Sequence, residues 1–362
     1  MKNNFSIIMA GGVGSRFWPM SHTAHPKQFI DILGVGETFI QQTFRRLNKI
    51  CPAENIYIVT NEIYRNIIHE QIPNISDDQI LGEPAMKNTA PCVAYAAYKI
   101  KKKNENANIV VAPSDHIIMN EDEFVKVVSK SLQIAAANDW LITLGIKPSR
   151  PDTGYGYIQF NEHKPIVGND NLRKVKTFTE KPALEMAKSF LESGDFLWNA
   201  GIFIWNVKSI LKAFEDYLPE VNNLFSNGMD IYNTDKEAEF IKDAYFRCPN
   251  ISIDYGIMEK ANNVHVYIAD FGWSDLGTWG SLFAMNLKDK NNNAITGKNV
   301  MIYNSKDCII NVPNNKLVIV EGLEDFIVAM RDDSLLICRK EDEQQIRNIV
   351  NDIKIEKGEN FV

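Results

Sequence analysis

Gly11, Gly12 and Gly14 stand directly after the apolar run Ile7-Ile8-Met9-Ala10, with Ser15 and Arg16 behind them and Pro26-Lys27-Gln28 further on. Glycine lets backbone N–H groups approach a ligand with no Cβ in the way, and Arg16 and Lys27 add fixed positive charge. Such a turn after a strand suits the phosphates of a nucleotide. The P-loop pattern G-x-x-x-x-G-K-[ST] occurs nowhere in the chain, and Phe17 stands where the dinucleotide fingerprint G-x-G-x-x-G needs its third glycine. Both ATPase-type loops and dehydrogenases therefore lose ground.

A nucleoside triphosphate brings a divalent cation, and Mg²⁺ takes one or two carboxylates while phosphate oxygens fill out its shell. Asp115, in Pro113-Ser114-Asp115-His116, and Asp275, in Trp273-Ser274-Asp275, each follow a strand-like run and fit that role. Taken singly, either aspartate also fits a helix cap or a turn. The run Gly82-Glu83-Pro84-Ala85-Met86-Lys87-Asn88-Thr89-Ala90-Pro91 is rich in hydrogen-bonding groups and precedes a helix. Thr89 could cap that helix, and Asn88 with Thr89 could equally offer a purine its donors and acceptors. Gly154-Tyr155-Gly156-Tyr157, Glu180-Lys181-Pro182 and Trp198-Asn199-Ala200-Gly201 hold what a sugar phosphate would use. A carboxylate and an amide serve hydroxyls, glycine allows close approach, and lysine meets phosphate.

These residues need a scaffold, and the chain has the means for one. Its 362 residues are 45% hydrophobic, enough for a large α/β domain and a smaller one. Strand runs at Ile56 to Thr60, Ile109 to Ala112 and Leu141 to Leu144 alternate with amphipathic stretches, which predicts a parallel sheet flanked by helices. One helix is expected from Glu37 to Ile50, with Phe39, Ile40, Phe44, Leu47 and Ile50 on its core face; another runs from Ala90 to Lys103, its last three lysines solvated. In open α/β sheets ligands sit beyond the carboxyl ends of strands, where Asp115 (after Ile109 to Ala112) and Asp275 (after Val264 to Ala269) both fall. From about residue 290 the pattern changes to short β runs, Val300 to Tyr303, Cys308 to Val312, Lys316 to Val320, Phe326 to Met330 and Leu335 to Arg339, closed by a helix from Glu341 to Ile353. That spacing predicts a small β-rich domain or partial β-helix.

The formal net charge of -7 leaves no basic surplus for a nucleic-acid backbone. The apolar run Phe5 to Ala10 is too short for a signal-peptide core, and no stretch reaches a membrane-spanning length, so a cytoplasmic protein with no membrane partner is expected. Five scattered cysteines, with no C-x-x-C pair, read as buried reduced thiols.

The ordered set of motifs, from Ala10-Gly11-Gly12-Val13-Gly14-Ser15-Arg16 through Asn88-Thr89-Ala90-Pro91, Pro113-Ser114-Asp115-His116, Phe178-Thr179-Glu180-Lys181-Pro182 and Trp198-Asn199-Ala200-Gly201 to Trp273-Ser274-Asp275-Leu276-Gly277, closely resembles the bacterial mannose-1-phosphate guanylyltransferases, a family of sugar nucleotidyltransferases. The resemblance covers nearly the whole chain. It implies a Rossmann-like, GT-A-like α/β domain with a mixed, mainly parallel sheet over residues 1–288 and a β-rich domain over 289–362. It implies a Mg²⁺-dependent transfer of GMP from GTP to mannose 1-phosphate, in a homodimer. Arg16, Lys27 and Asp115 would be catalytic; Ala10, Gly11, Gly12, Gly14, Glu83, Asn88, Thr89, Ala90 and Asp115 would bind the nucleotide. Gly156, Glu180, Lys181, Asn199 and Asp275 would hold the sugar phosphate, and Asp115 and Asp275 the metal. Lys87 and His22 depart from the family pattern, which favours arginine at both places, and lysine lacks arginine's bidentate fork. Asp254-Tyr255-Gly256-Ile257-Met258-Glu259-Lys260 matches a further family segment, one that could orient the site without touching substrate. The sequence ends after the β-rich region, so one activity is expected, without the isomerase domain of longer members. A related sugar such as a manno-heptose 1-phosphate is the alternative substrate, and a non-catalytic nucleotide-sugar sensor the alternative of another class.

Overall fold

The computed structural model describes residues 2–166 and 168–362. It divides into two compact units that interleave along the chain: Met1–Gly11 with Ile40–Trp273, and Gly12–Phe39 with Ser274–Val362.

The first unit is built on the strands β1 (Asn4–Met9), β2 (Ile56–Asn61), β3 (Ile80–Glu83), β4 (Asn108–Pro113), β5 (Ile117–Ile118), β6 (Leu141–Ile146), β7 (Gly156–Ile166), β8 (Asn169–Glu180), β9 (Phe196–Asn206) and β10 (Val264–Ala269). All but the two-residue β5 form one nine-stranded sheet in the order β3-β2-β1-β4-β9-β6-β10-β8-β7, with β7 also paired to β9. The parallel pairs β1–β2, β1–β4, β2–β3 and β6–β10 and the antiparallel pairs around β9 and β8 set those two strands against the direction of the rest. The sheet is mixed and mainly parallel. Its central strands read as unbroken apolar runs because helices cover both faces: β2 is buried from Ile56 to Thr60 and β4 from Ile109 to Ala112.

The helix Thr89–Lys103 carries Ala90, Ala94, Ala96 and Ala97 on buried positions, and these small side chains let it lie close to the sheet. The expected helix from Glu37 is shorter, Phe39–Asn48, and Ile50 reaches the core from the turn that follows it. Lys103 is not simply solvated, since its Nζ donates to the Glu54 carbonyl at 3.0 Å. Lys99, one turn earlier, is only 3% exposed and donates to both Glu237 carboxylate oxygens at 2.7 and 2.9 Å. A bulge falls between Thr143 and Gly145, where β6 pairs with β9. A Cβ on Gly145 would stand 2.5 Å from Val266 and 2.6 Å from Leu197, so glycine is required there.

In the second unit, Ala294–Thr296, Ile309–Asn311 and Phe326–Arg331 pair in parallel, and Ser334–Arg339 adds an antiparallel edge. Val300–Tyr303 and Val318–Glu321 form a second parallel pair. Successive coils thus stack in register around Cys308, Ile310, Val312, Val320 and Val328, as the short β runs predict. The run expected from Lys316 begins later, at Val318, because the Lys316 N–H closes a turn onto Pro313. The terminal helix, Ile346–Lys357, is preceded by a 3₁₀ segment over Lys340–Gln345. All five cysteines are free, four buried and Cys338 half-buried, and no described helix is long and apolar enough to cross a membrane.

Candidate active site

In the first unit β7, β8 and β9 bring four of the sequence-predicted residues together. Gly156 pairs with Glu180 across β7 and β8, and a Cβ on Gly156 would stand 2.4 Å from Glu180 Oε2 and 3.4 Å from Asn199 Cβ. Only glycine leaves room for that carboxylate. Lys181 Nζ donates to Glu180 Oε1 at 2.6 Å, an ion pair whose lysine end is exposed. Asn199 Oδ1 accepts from the Thr143 hydroxyl and the Gly201 N–H, both at 3.1 Å, while Nδ2 donates to Asp254 Oδ1 at 2.8 Å. A backbone N–H can only donate, so the amide orientation is fixed. Burial, and then the Glu180 carboxylate, push the Asp254 carboxyl up to about 6. Asp254 is the member of this cluster that residue types alone did not assign; its family segment was the signal available.

The residues of the same unit expected on the nucleotide side lie at the ends of β1 and β3 and in the loop after β3. Glu83 is 6% exposed, accepts from the Tyr245 hydroxyl at 2.9 Å, and has Oε2 3.4 Å from where a Gly11 Cβ would be. Burial raises its carboxyl to about 7. Ala10 is fully buried, its carbonyl accepting from the Thr60 hydroxyl at 2.9 Å. Asn88 sits exposed at φ 70° and caps the helix by accepting from Thr89 N at 2.9 Å. The Thr89 hydroxyl accepts from Ile253 N at 2.9 Å, and Ala90 N donates to the Ile251 carbonyl at 3.1 Å. These contacts tie the helix start to the segment preceding Asp254, so Ala90 serves the loop's position through its backbone.

Asp115 follows β4 in a turn, its carboxylate 4.0 Å from His116 Nε2. Trp273 Nε1 donates to His116 Nδ1 at 3.1 Å, which puts the proton of the neutral imidazole on Nε2.

The second unit holds Gly12, Gly14, Arg16, Lys27 and Asp275. Gly14 has φ 71°, and a Cβ there would stand 2.6 Å from Lys27 Cβ. Lys27 is 3% exposed, lies 5.7 Å from the Phe17 ring centroid and 5.3 Å from that of Phe39, and donates through Nζ to the Asp275 carbonyl at 2.7 Å. Gly277 N donates to Asp275 Oδ1 at 3.0 Å, which fixes the carboxylate over its own turn. Arg16 Nε is buried and has no hydrogen-bond partner among the described residues, a donor suited to an anion. His22 lies in a small cavity of about 130 Å³ with Arg331 and Asp332, its pKa lowered by burial and then by Arg331. Lys87 contributes its carbonyl to Ile251 N at 3.3 Å.

Carboxylate oxygen is the donor type that Mg²⁺ takes. No group of three or more His, Cys, Asp or Glu residues that could hold a metal occurs among the described residues, whereas hard carboxylates end the strands at Asp115 and Asp275. Mg²⁺ needs only one or two carboxylates where phosphate oxygens complete its shell.

Known proteins resemble this chain along most of its length. The profile of the nucleotidyl transferase family matches residues 5–292, and that of the mannoseP isomerase/GMP-like beta-helix domain matches 297–353. A mannose-1-phosphate guanylyltransferase of Salmonella montevideo is 38% identical over 97% of this chain and 74% of its own length. One of Escherichia coli is 33% identical over 96% of this chain and 75% of its own. A crystal structure described as a mannose-1-phosphate geranyltransferase from Thermus thermophilus superposes with a TM-score of 0.85 at 26% identity, covering 97% of this chain and 99% of that one.

Proposed function

The chain belongs to the nucleotidyl transferases and, among them, to the mannose-1-phosphate guanylyltransferases, and from that membership we propose that it transfers GMP from GTP to α-D-mannose 1-phosphate with Mg²⁺, giving GDP-mannose and pyrophosphate. The observation that carries the reading is the cluster of Gly156, Glu180, Lys181 and Asn199, where a carboxylate, an oriented amide and an exposed cation surround a glycine. A phosphorylated sugar asks for those groups.

In the proposed step a phosphate oxygen of the sugar phosphate forms a bond to the α-phosphorus of GTP. The bond from that phosphorus to the β-phosphate bridging oxygen breaks, and pyrophosphate leaves with the electron pair. The nucleophile is already an anion, so the protein's task is positioning and charge neutralisation, without a strong base. Arg16 and Lys27 are assigned to the triphosphate, and Ala10, Gly11, Gly12 and Gly14 to its backbone cradle. Glu83, Asn88 and Thr89 are assigned to the base, with Ala90 fixing their loop. Asp115 and Asp275 would hold Mg²⁺, which when bound offsets phosphate charge, and Asp275 also serves the sugar side.

Met301 and Tyr303 on one strand, with Leu317 and Ile319 beside them, leave an exposed apolar stripe on the second unit; Met301 pairs directly with Ile319. Such a stripe supports a homodimer formed through this region. Free thiols throughout the chain support a reducing, cytoplasmic setting.

The test is pyrophosphate release, crossing GTP, ATP, UTP and dTTP against mannose, glucose and manno-heptose 1-phosphates. Release with GTP and mannose 1-phosphate, abolished by a chelator, is the expected result. Release with the heptose alone would move the sugar assignment, and no release with any pair would favour a sensor.

A further inference from the structure

Asp254 opens a π-helical turn, Asp254–Met258, whose Ile257 and Met258, with Ile253 just before them, are buried in the main core. Such turns depart from regular helix geometry and are found often at functional sites. The turn is held independently of the Asp254 side chain. Ile253 N donates to Thr89 Oγ1, Ile251 makes backbone hydrogen bonds with Ala90 and Lys87, and Glu259 N donates to the Asp254 carbonyl at 2.9 Å. A Cβ on Gly256 would stand 2.5 Å from Leu218 Cδ1, so the turn is packed without slack.

A carboxylate in this setting is costly. It is screened from water and it faces Glu180, a second carboxylate, with Lys181 the nearby cation. What it gains is a charge-assisted hydrogen bond accepted from Asn199 Nδ2, beside one from its own backbone N–H. Thr143 and Gly201 occupy the other end of that amide, so with Asp254 in place a single Nδ2 proton of Asn199 is left to point elsewhere.

We infer that Asp254 is a positioning residue for the sugar phosphate, holding the Asn199 amide so that its remaining N–H is presented beside Gly156 and Glu180. The inference rests on the transfer to mannose 1-phosphate proposed above. It adds a residue that acts through Asn199 and touches no reacting atom. The Thr89 and Ala90 contacts come from backbone groups of Ile253 and Ile251, so removing the Asp254 carboxylate leaves the nucleotide loop in place.

Calorimetric titration of mannose 1-phosphate and, separately, GTP into the wild type, Asp254→Ala and Asp254→Asn tests this. Asp254→Ala should weaken mannose 1-phosphate binding by about ten-fold or more, the scale of a lost charged hydrogen bond, with GTP affinity unchanged. Asp254→Asn should recover most of the loss, because its own Oδ1 can accept from Asn199. Thr143→Val, which removes another hold on the same amide, should weaken the sugar selectively and serves if Asp254→Ala does not fold. Equal loss for both ligands, or no loss for the sugar, overturns the inference while the wild type's activity stands. A wild type that neither binds nor turns over mannose 1-phosphate fails the functional reading itself, and this inference with it.

Discussion

In the sheet-bearing unit, Glu180, Asn199 and Asp254 come from three separate chain segments and meet through their side chains; in the β-rich unit, Gly14, Lys27 and Asp275 meet largely through backbone and an alkyl stem. The first cluster sets the Asp254 carboxyl where burial disfavours its charge, beside a second carboxylate. The second keeps a cation inside, its ammonium held by the Asp275 carbonyl and its stem against Phe17 and Phe39. A side-chain network can select among sugars by small changes of reach. A backbone cradle around a fixed cation recognises phosphate, which every nucleotide shares. Discrimination among sugars is thus expected to rest mainly on the first cluster, and handling of the phosphates on the second.

Removing the buried cation should break that division most severely. Lys27→Met keeps most of the stem's packing and loses the charge, and kcat/KM should fall by about 10²–10³ with every sugar tested. A fall confined to the KM of the sugar would erase the distinction between the units. Gly156→Ala should act next most strongly and on the sugar alone. Its Cβ would stand 2.4 Å from Glu180 Oε2, displacing the carboxylate, so the KM for mannose 1-phosphate should rise about ten-fold while that for GTP stays put. Steady-state kinetics varying one substrate at a time would separate these outcomes.

A third effect falls on stability and not on turnover. The Glu83 carboxyl titrates near 7 in the folded protein against 4.5 ordinarily, so the folded state binds its proton more tightly than the unfolded one. The cost is absent below pH 4.5 and grows as pH rises through 7, reaching about 3 kcal/mol. Glu83→Gln keeps an acceptor for the Tyr245 hydroxyl and removes that cost. Thermal unfolding should therefore show the variant gaining on the wild type as pH rises from 4.5 to 7, with little difference at the acid end. A difference that does not change with pH would place the effect in packing.

Much of this arrangement is legible in the residues. The β10 strand spans Val264–Ala269 as its apolar run predicts, and the helix Thr89–Lys103 begins one residue before the expected start. Period and composition report burial, and burial is most of what fixes these elements. Long-range partners are not written that way. Nothing local to Lys99 announces Glu237, and nothing in Gly12–Phe39 shows that it packs with Ser274–Val362. Gly14 and Gly156 were both expected to admit a ligand; in the structure Gly14 needs glycine for its positive φ and Gly156 for the space that Glu180 takes. Thr89 reads as a cap or, with Asn88, as a base contact; in the structure Asn88 is the residue that caps, and the Thr89 hydroxyl anchors the loop to Ile253 N.

Product identity tests the central claim most directly. Purified protein given GTP, mannose 1-phosphate and Mg²⁺ would be sampled over time and its products resolved by chromatography against authentic GDP-mannose. The account predicts GDP-mannose and pyrophosphate appearing in equal amounts, with no other nucleotide product. GTP consumed to GDP and phosphate, or a mixture left unchanged while both substrates bind, would contradict it.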